Sequence, residues 1–309
     1  ALAVAAIEGT FMGPWSAGTA GTLLLRELYA DRPEIAGGPA ALIAALAKAA
    51  ASHGVEIRTE ATVASIELKG GAAQAVVLAD GERIPADRIL STIDPKQCFL
   101  ELYDPEYLRS PFVQRLPDEL AEDLRQLRVR GTTAKVHLAL SRPLKLASGE
   151  AVSVLRTGET LAAVERAFDP VKYGESATTP VIEARVYDAD DAEGQVVSGL
   201  VHHVLAGADH DLLAAAVIAE LAAHCPDVSD NIVGQQVLTP ADLEAEFRLT
   251  GGHIHHGEHA PDQLLFMRPS VSCSHYATPV AGLYLGGSGS HPGGGVTCAP
   301  GALAAAALA

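Results

Sequence analysis

The tail of the chain leaves little freedom in how it can fold. Gly282-Leu283-Tyr284-Leu285 reads as a short apolar strand, and Gly286-Gly287-Ser288-Gly289-Ser290-His291-Pro292-Gly293-Gly294-Gly295-Val296 as a glycine-rich loop. Residues 297–309 then read as an alanine-rich helix. In such an arrangement backbone N–H groups and a positive helix N-terminus can approach an anionic or electron-rich ligand with no side chain in between. The same string also serves as a tight turn and helix cap, so the motif alone leaves both readings open. The tail strand needs a parallel sheet, and the nearest strands of matching character lie at 55–57 and 88–92. Residues 38–95 and 281–309 are therefore expected to meet in space.

A helix is predicted over 40–53, with Leu42, Ile43, Leu46 and Ala50 on one face. Pro39 suits its first turn and Gly54 its end. Strands are predicted at 55–59, 62–68, 73–79, 83–84 and 88–92. Lys69-Gly70-Gly71 and Asp80-Gly81 are hairpin signals between them. Asp94-Pro95 reads as a turn at a domain crossing. Residues 96–280 are patterned differently. Helices are predicted at 118–128, 161–168 and 211–224, and strands at 134–140, 181–187 and 199–205. Lys135, His137, Glu183 and Arg185 alternate with apolar residues, which predicts a sheet with one packed face and one wetter face. Residues 1–37 combine an alanine-rich start, a Gly/Pro/Ser loop at 13–21 and a leucine-rich helical stretch to Tyr29. The expected class is α/β for the discontinuous unit (38–95 with 281–309) and α+β for 96–280, with 1–37 joining the latter.

Hydrophobic residues make up 48% of the chain, enough for a globular core, and the formal net charge is −16. That charge argues against a nucleic-acid partner and gives no support to docking on anionic lipid. The four cysteines (Cys98, Cys225, Cys273, Cys298) are widely spaced with no Cys-x-x-Cys, so reduced thiols in a cytoplasmic protein fit best. No apolar run is long enough to span a membrane, and the start lacks the basic region of a signal peptide. His253, His255, His256 and His259 fall within one short segment. Their spacing is not that of a helical zinc motif and no acidic or cysteine ligand pairs with them, so no metal is expected and three of the four are expected to be solvent-exposed. His202-His203 should place one ring in and one out along a strand. Ser288 and Ser290 lack the nucleophile elbow and strand order of a serine hydrolase.

The string from Gly282 to Val296 resembles the C-terminal flavin-contacting segment of the phytoene desaturase-like FAD-dependent oxidoreductases, within the amine oxidase/carotenoid desaturase superfamily. Gly37-Gly38-Pro39-Ala40-Ala41-Leu42 is similar to the family's Gly-Gly-x-x-x-Leu helix. Residues 55–58 and 61–66 look like the two strands that follow it, and Ser91-Thr92-Ile93-Asp94-Pro95 like the exit from the flavin domain. Gly251-Gly252-His253-Ile254-His255-His256-Gly257, with Asp262-Gln263 and Arg268-Pro269, resembles the family's Gly-Gly-x-x-x-His…Asp-Gln…Arg-Pro block. No chain-initial βαβ unit with Gly-x-Gly-x-x-Gly occurs. The resemblance therefore implies the C-terminal part of a larger flavoenzyme. It would be a partial FAD/NAD(P)-binding, Rossmann-like domain lacking its N-terminal βαβ, with an inserted mixed-sheet substrate domain. It further implies FAD as cofactor of the full-length protein, weakly held or absent in this chain alone, and an apolar small-molecule substrate. Val63, Gly286, Gly287, Gly294, Gly295 and Val296 are the implied cofactor-binding positions. His256, facing the substrate cavity, is the implied catalytic candidate. The competing expectation is a non-catalytic binding or interaction module that keeps the fold.

Overall fold

The computed structural model describes residues 2–27, 35, 37–101, 116–188 and 194–308. Its largest layer is a five-stranded sheet made of β5 (Thr133–Leu140), β6 (Val154–Arg156), β7 (Val181–Asp188), β8 (Gln195–His202) and β9 (Ile232–Leu238), in the order β6-β7-β8-β5-β9. Every pairing in it is antiparallel. Ala134, Val136 and Leu138 alternate with polar residues, so the pleat turns them to one face with Ile182, Ala184, Val197 and Val201. There they pack beneath Val217 and Leu221 of helix α6 (His210–Ala222). Burial of each Val, Leu or Ile side chain among them contributes about 1.5–3 kcal/mol. The opposite face carries Lys135, His137, Glu183 and Arg185, all partly exposed, as their alternation predicts.

Two predicted features of this sheet shift. The strand expected at 199–205 runs instead from Gln195 to His202, because His203 has φ 58 and turns the backbone out of the ladder. That turn also buries both His202 and His203, each 2% exposed, where one in and one out was expected. β6, β9 and helix α7 (Pro240–Phe247) had no predicted counterpart. For α7 a signal was present. Thr239 caps the helix and Asp242, at its third position, returns the bond to the Thr239 backbone.

The other layer begins with α3 (Gly38–Ser52) and the antiparallel meander β1 (Val63–Lys69), β2 (Ala72–Leu78) and β3 (Arg83–Pro85). β4 (Ile89–Ser91) then pairs in parallel with β10 (Leu283–Leu285), Leu283 opposite Ile89 and Leu285 opposite Ser91. Both kinds of sheet thus occur in one molecule. Ile66, Leu68, Ile89, Leu283 and Leu285 share a core with Phe99 and with Leu120 and Leu124 of α4 (Asp118–Gln126). Helices α1 (Leu2–Ile7) and α2 (Thr19–Glu27) open the chain, while α5 (Leu161–Phe168) and α8 (Ala299–Leu308) fall where predicted, α8 starting two residues late. Residues 28 and 29, the predicted end of α2, lie outside the described residues.

The segment 55–59 is not a strand, and Val55 and Ile57 stand 53% and 58% exposed. No residue of α3 is buried; Ile43 is 65% exposed and Leu46 46%. The sequence patterns there are real but unfulfilled. A parallel strand needs a neighbour on its edge, and an apolar helix stripe needs a sheet beneath it. Among the described residues the β4–β10 pair has no third strand.

Candidate functional site

The glycine loop leaves β10 flat against β4. The Gly286 N–H donates to Ser91 O at 2.9 Å, and a Cβ at Gly287 would stand 2.0 Å from Thr92 O. At Gly286 a Cβ would meet Leu90 Cδ1 at 2.9 Å and Ala304 Cβ of α8 at 3.0 Å. These two glycines let strand, strand and helix close on one another. Gly295 differs: its φ is +139, and a Cβ there would meet only Thr297 Cγ2, at 3.9 Å. It opens to a shallow cleft of about 360 Å³ lined by Thr92, Gly286, Gly287, Ser288, residues 293–298, Pro300 and Gly301. No charged side chain lines it, and the first turn of α8 forms one wall. Val296 crowns the loop with φ 59 and 82% exposure. A β-branched residue in the left-handed region is a conformational outlier.

Gly294 is held to glycine by packing. Its Cβ would lie 2.6 Å from His255 Nδ1 and 3.2 Å from His255 Cα, on the side toward the histidine block. Gly294→Val is therefore expected to destabilise the folded chain by about 1–3 kcal/mol through overpacking. An unchanged urea midpoint for that variant would disprove the close fit.

The histidine block is the part of the site that the sequence misjudged. His253, His255 and His259 are 1%, 6% and 6% exposed, and His256 is half-buried. The expectation of three solvent-exposed rings is wrong. His255 stacks on His259 with ring centroids 4.1 Å apart, and His255 Nε2 lies 3.3 Å from Glu8 Oε1. Glu8 follows α1, far away in sequence, and nothing in the pattern marked it. Beneath the rings runs Arg268, only 1% exposed. Its guanidinium donates to the backbone carbonyls of Ser288, Glu258, Gln263, His255 and Gly257. One side chain thereby ties the histidine block to the glycine loop. Burial draws its pKa down to about 10, which leaves it charged at neutral pH. Arg128 closes the outer edge, its Nε 2.9 Å from Glu258 and its Nη2 2.7 Å from Asp262.

His256 has φ 57, and its N–H donates to His253 O at 3.1 Å. Burial lowers its pKa, with nearby Asp94 opposing, so the ring is neutral at pH 7. Its Nδ1 is buried without a hydrogen-bond partner. A Cβ at Gly289 would meet Pro95 Cδ at 2.3 Å and His256 O at 3.5 Å, which brings together the Asp94-Pro95 turn, the glycine loop and the histidine block. Asp94 accepts from Gln97 N at 3.0 Å and from Thr250 Oγ1 at 2.6 Å. Thus His256 and Gly286, Gly287, Gly294, Gly295 and Val296 belong to one neighbourhood. Val63 opens β1, opposite Leu78, and does not line the glycine cleft. Among the described residues no group of three or more metal-ligating side chains gathers, and no helix is long and apolar enough to cross a membrane.

Chemically, the cleft offers glycine backbone, a helix N-terminus and an uncharged lining, and a helix N-terminus favours an anionic group. Pyridine nucleotide-disulfide oxidoreductase domain-containing protein 2 of Mus musculus is 34% identical, matching 98% of this chain and 56% of its own length. The Rattus norvegicus protein of that name is 33% identical over the same share. The chain therefore spans about half the length of the curated relatives it matches. Among solved structures, an oxidoreductase from Methanosarcina mazei has a TM-score of 0.56 at 15% identity, covering 99% of this chain and 63% of its own. Cyclohexylamine oxidase from Brevibacterium oxydans IH-35A has a TM-score of 0.52 at 14% identity, covering 81% of this chain and 48% of its own. Both likenesses speak to the fold. Family membership implies FAD use by the full-length protein. With residues 4–309 matched by the model for flavin containing amine oxidoreductases, the chain belongs to that family.

Proposed function

We propose that the full-length protein is an FAD-dependent oxidoreductase that dehydrogenates, desaturates or isomerises an apolar small molecule, in the manner of the phytoene desaturase-like enzymes. In this reading residues 38–95 and 281–309 form one discontinuous part of the flavin domain, and 1–37 with 96–280 form the substrate domain. Gly286, Gly287, Gly294, Gly295 and Val296 flank the flavin, and Val63 lends its backbone to the adenine side. The flavin supplies the redox chemistry when bound. The chain's own residues bind, orient and exclude water. The uncovered Val296 at the mouth of the cleft supports a ring lying over it, since strain of order 1–3 kcal/mol is commonly kept at ligand sites. The observation that carries the reading is the meeting of the glycine loop with His256 and the Asp94-Pro95 turn.

His256 is proposed to face substrate and to hold or move one proton beside the flavin. His256→Asn in the full-length protein tests this, because asparagine tolerates the left-handed backbone while removing the imidazole. Turnover is expected to fall about 10²-fold or more, with bound flavin and melting temperature nearly unchanged. Full turnover in the variant would remove His256 from the site. A full-length protein purified without a flavin absorption band would overturn the wider reading.

A further inference from the structure

The face of the five-stranded sheet turned away from α6 carries a set of polar and charged side chains. The register aligns Gln236, His137, Ser198 and Arg185 in one row across β9, β5, β8 and β7. In the next row stand Leu238, Lys135, Leu200, Glu183 and Arg156. Glu183 is well supplied with partners, 2.8 Å from Arg156 and 3.4 Å from Arg185. Lys135 is not. Its ammonium has three donors, and its hydrogen bond is to one neutral oxygen, Ser198 Oγ, at 3.0 Å. Burial opposes its charge, and no carboxylate among the described residues lies within ion-pair distance of it. His137, two residues along on the same face, makes no hydrogen bond among the described residues and is held neutral by burial and by Lys135.

The local charge is also out of keeping with the chain. Lys135, Arg156 and Arg185 face two carboxylates, Glu183 and Glu8, in a protein of net charge −16. Glu8 is near enough to act electrostatically on both Lys135 and Glu183, yet it lies 3.3 Å from His255, which packs on Gly294. Glu8 and His255 thus link the polar face to the packing around Gly294. The remaining donors of this partly exposed ammonium are open to water or to an acceptor on a ligand.

We propose that this face binds the carboxylate of an otherwise apolar substrate, with Lys135 as the principal cation and His137, Ser198 and Gln236 as neutral donors around it. The proposal rests on the reading of this chain as the substrate-binding part of a flavoenzyme, and names the substrate as an amphipathic carboxylate. A carboxylate offers two acceptor oxygens, matching the free donors of Lys135 beside a neutral imidazole N–H.

The test uses the 309-residue chain and two probes, octanoate and octan-1-ol, titrated calorimetrically and by NMR with histidine labelled at ring 13Cε1. The wild type is expected to bind octanoate about tenfold more tightly than the alcohol. Lys135→Met is expected to abolish that preference, Lys135→Arg to retain it, and Lys69→Met on exposed β1 to leave it untouched. Octanoate should also shift the His137 resonance, identified with His137→Gln. That readout stands even if Lys135→Met fails to fold. Equal affinity for the two probes, an unchanged preference in folded Lys135→Met, or an unmoved His137 resonance would each overturn the proposal. No flavin enters the titration, so its failure is separate from that of the flavoenzyme reading, which shows as a colourless full-length protein.

Discussion

Arg268→Met is expected to cost about 3–5 kcal/mol of stability and to release the histidine block from the glycine loop. The reason lies in the count of acceptors. The guanidinium satisfies buried carbonyls of Ser288, Glu258, Gln263, His255 and Gly257. Methionine fills much of the volume but offers none of these donors. Each buried carbonyl left unpaired costs about 1–3 kcal/mol before relaxation. Arg268→Lys is expected to rescue little, because a single ammonium cannot reproduce a planar fork that reaches five oxygens. Urea unfolding of the two variants beside wild type measures the loss. A cost below about 1 kcal/mol for Arg268→Met would mean that water replaces the guanidinium freely, and the hub would be no hub.

The chain should also lose stability steeply on mild acidification. His253 Nδ1 accepts from His255 N at 3.2 Å and from Gly257 N at 3.3 Å, so protonating it forfeits both bonds. Burial, with His255 and Arg268 nearby, holds its pKa down at about 3. His203 donates from Nε2 to Met12 O at 3.1 Å beneath Phe168, and burial with His202 nearby holds it at about 3 as well. Both folded values lie below the ordinary value of 6.5. The unfolded chain therefore binds more protons between those limits. The stability tied to neutral rings is complete above pH 6.5 and drains as pH falls toward 3. Each ring contributes a slope of about 1.4 kcal/mol per pH unit. In His253→Asn the amide oxygen can still accept from the two N–H groups but cannot titrate, so that variant should show a shallower slope. Parallel pH profiles for wild type and variant would contradict a neutral, buried His253.

What the sequence made legible follows the range of its signals. The 161–168 helix, the hairpins at Gly70-Gly71 and Gly81, and the alternation of β5 and β7 depend on neighbours a few residues away, and they stand where the pattern put them. The apolar faces of α3 and 55–57 were read correctly as apolar and wrongly as packed, because a face says nothing about whether its partner is present. The histidines failed for a related reason. Clustered imidazoles look hydrophilic, yet Glu8, Gly9 and Arg268 converge on them from distant segments and close them off. Arg268 was marked only by the resemblance of Arg268-Pro269 to the family's Arg-Pro block, which says nothing of what its guanidinium holds. No local pattern records five waiting carbonyls.

The β4–β10 ladder has a consequence for how the protein is made. β4 emerges from the ribosome before the five-stranded unit, and its partner strand only after that whole unit has been translated. Until then the edge of β4 that pairs with β10 is open. Closing so long a loop is slow, and its entropic cost must be met before the contacts return it. The five-stranded sheet, by contrast, can pair internally as soon as β9 appears. The glycine loop and the cleft it frames can therefore form only after the five-stranded sheet has been translated. A pause or truncation before Leu283 would leave the five-stranded sheet paired while the β10-facing edge of β4 stays open and aggregation-prone.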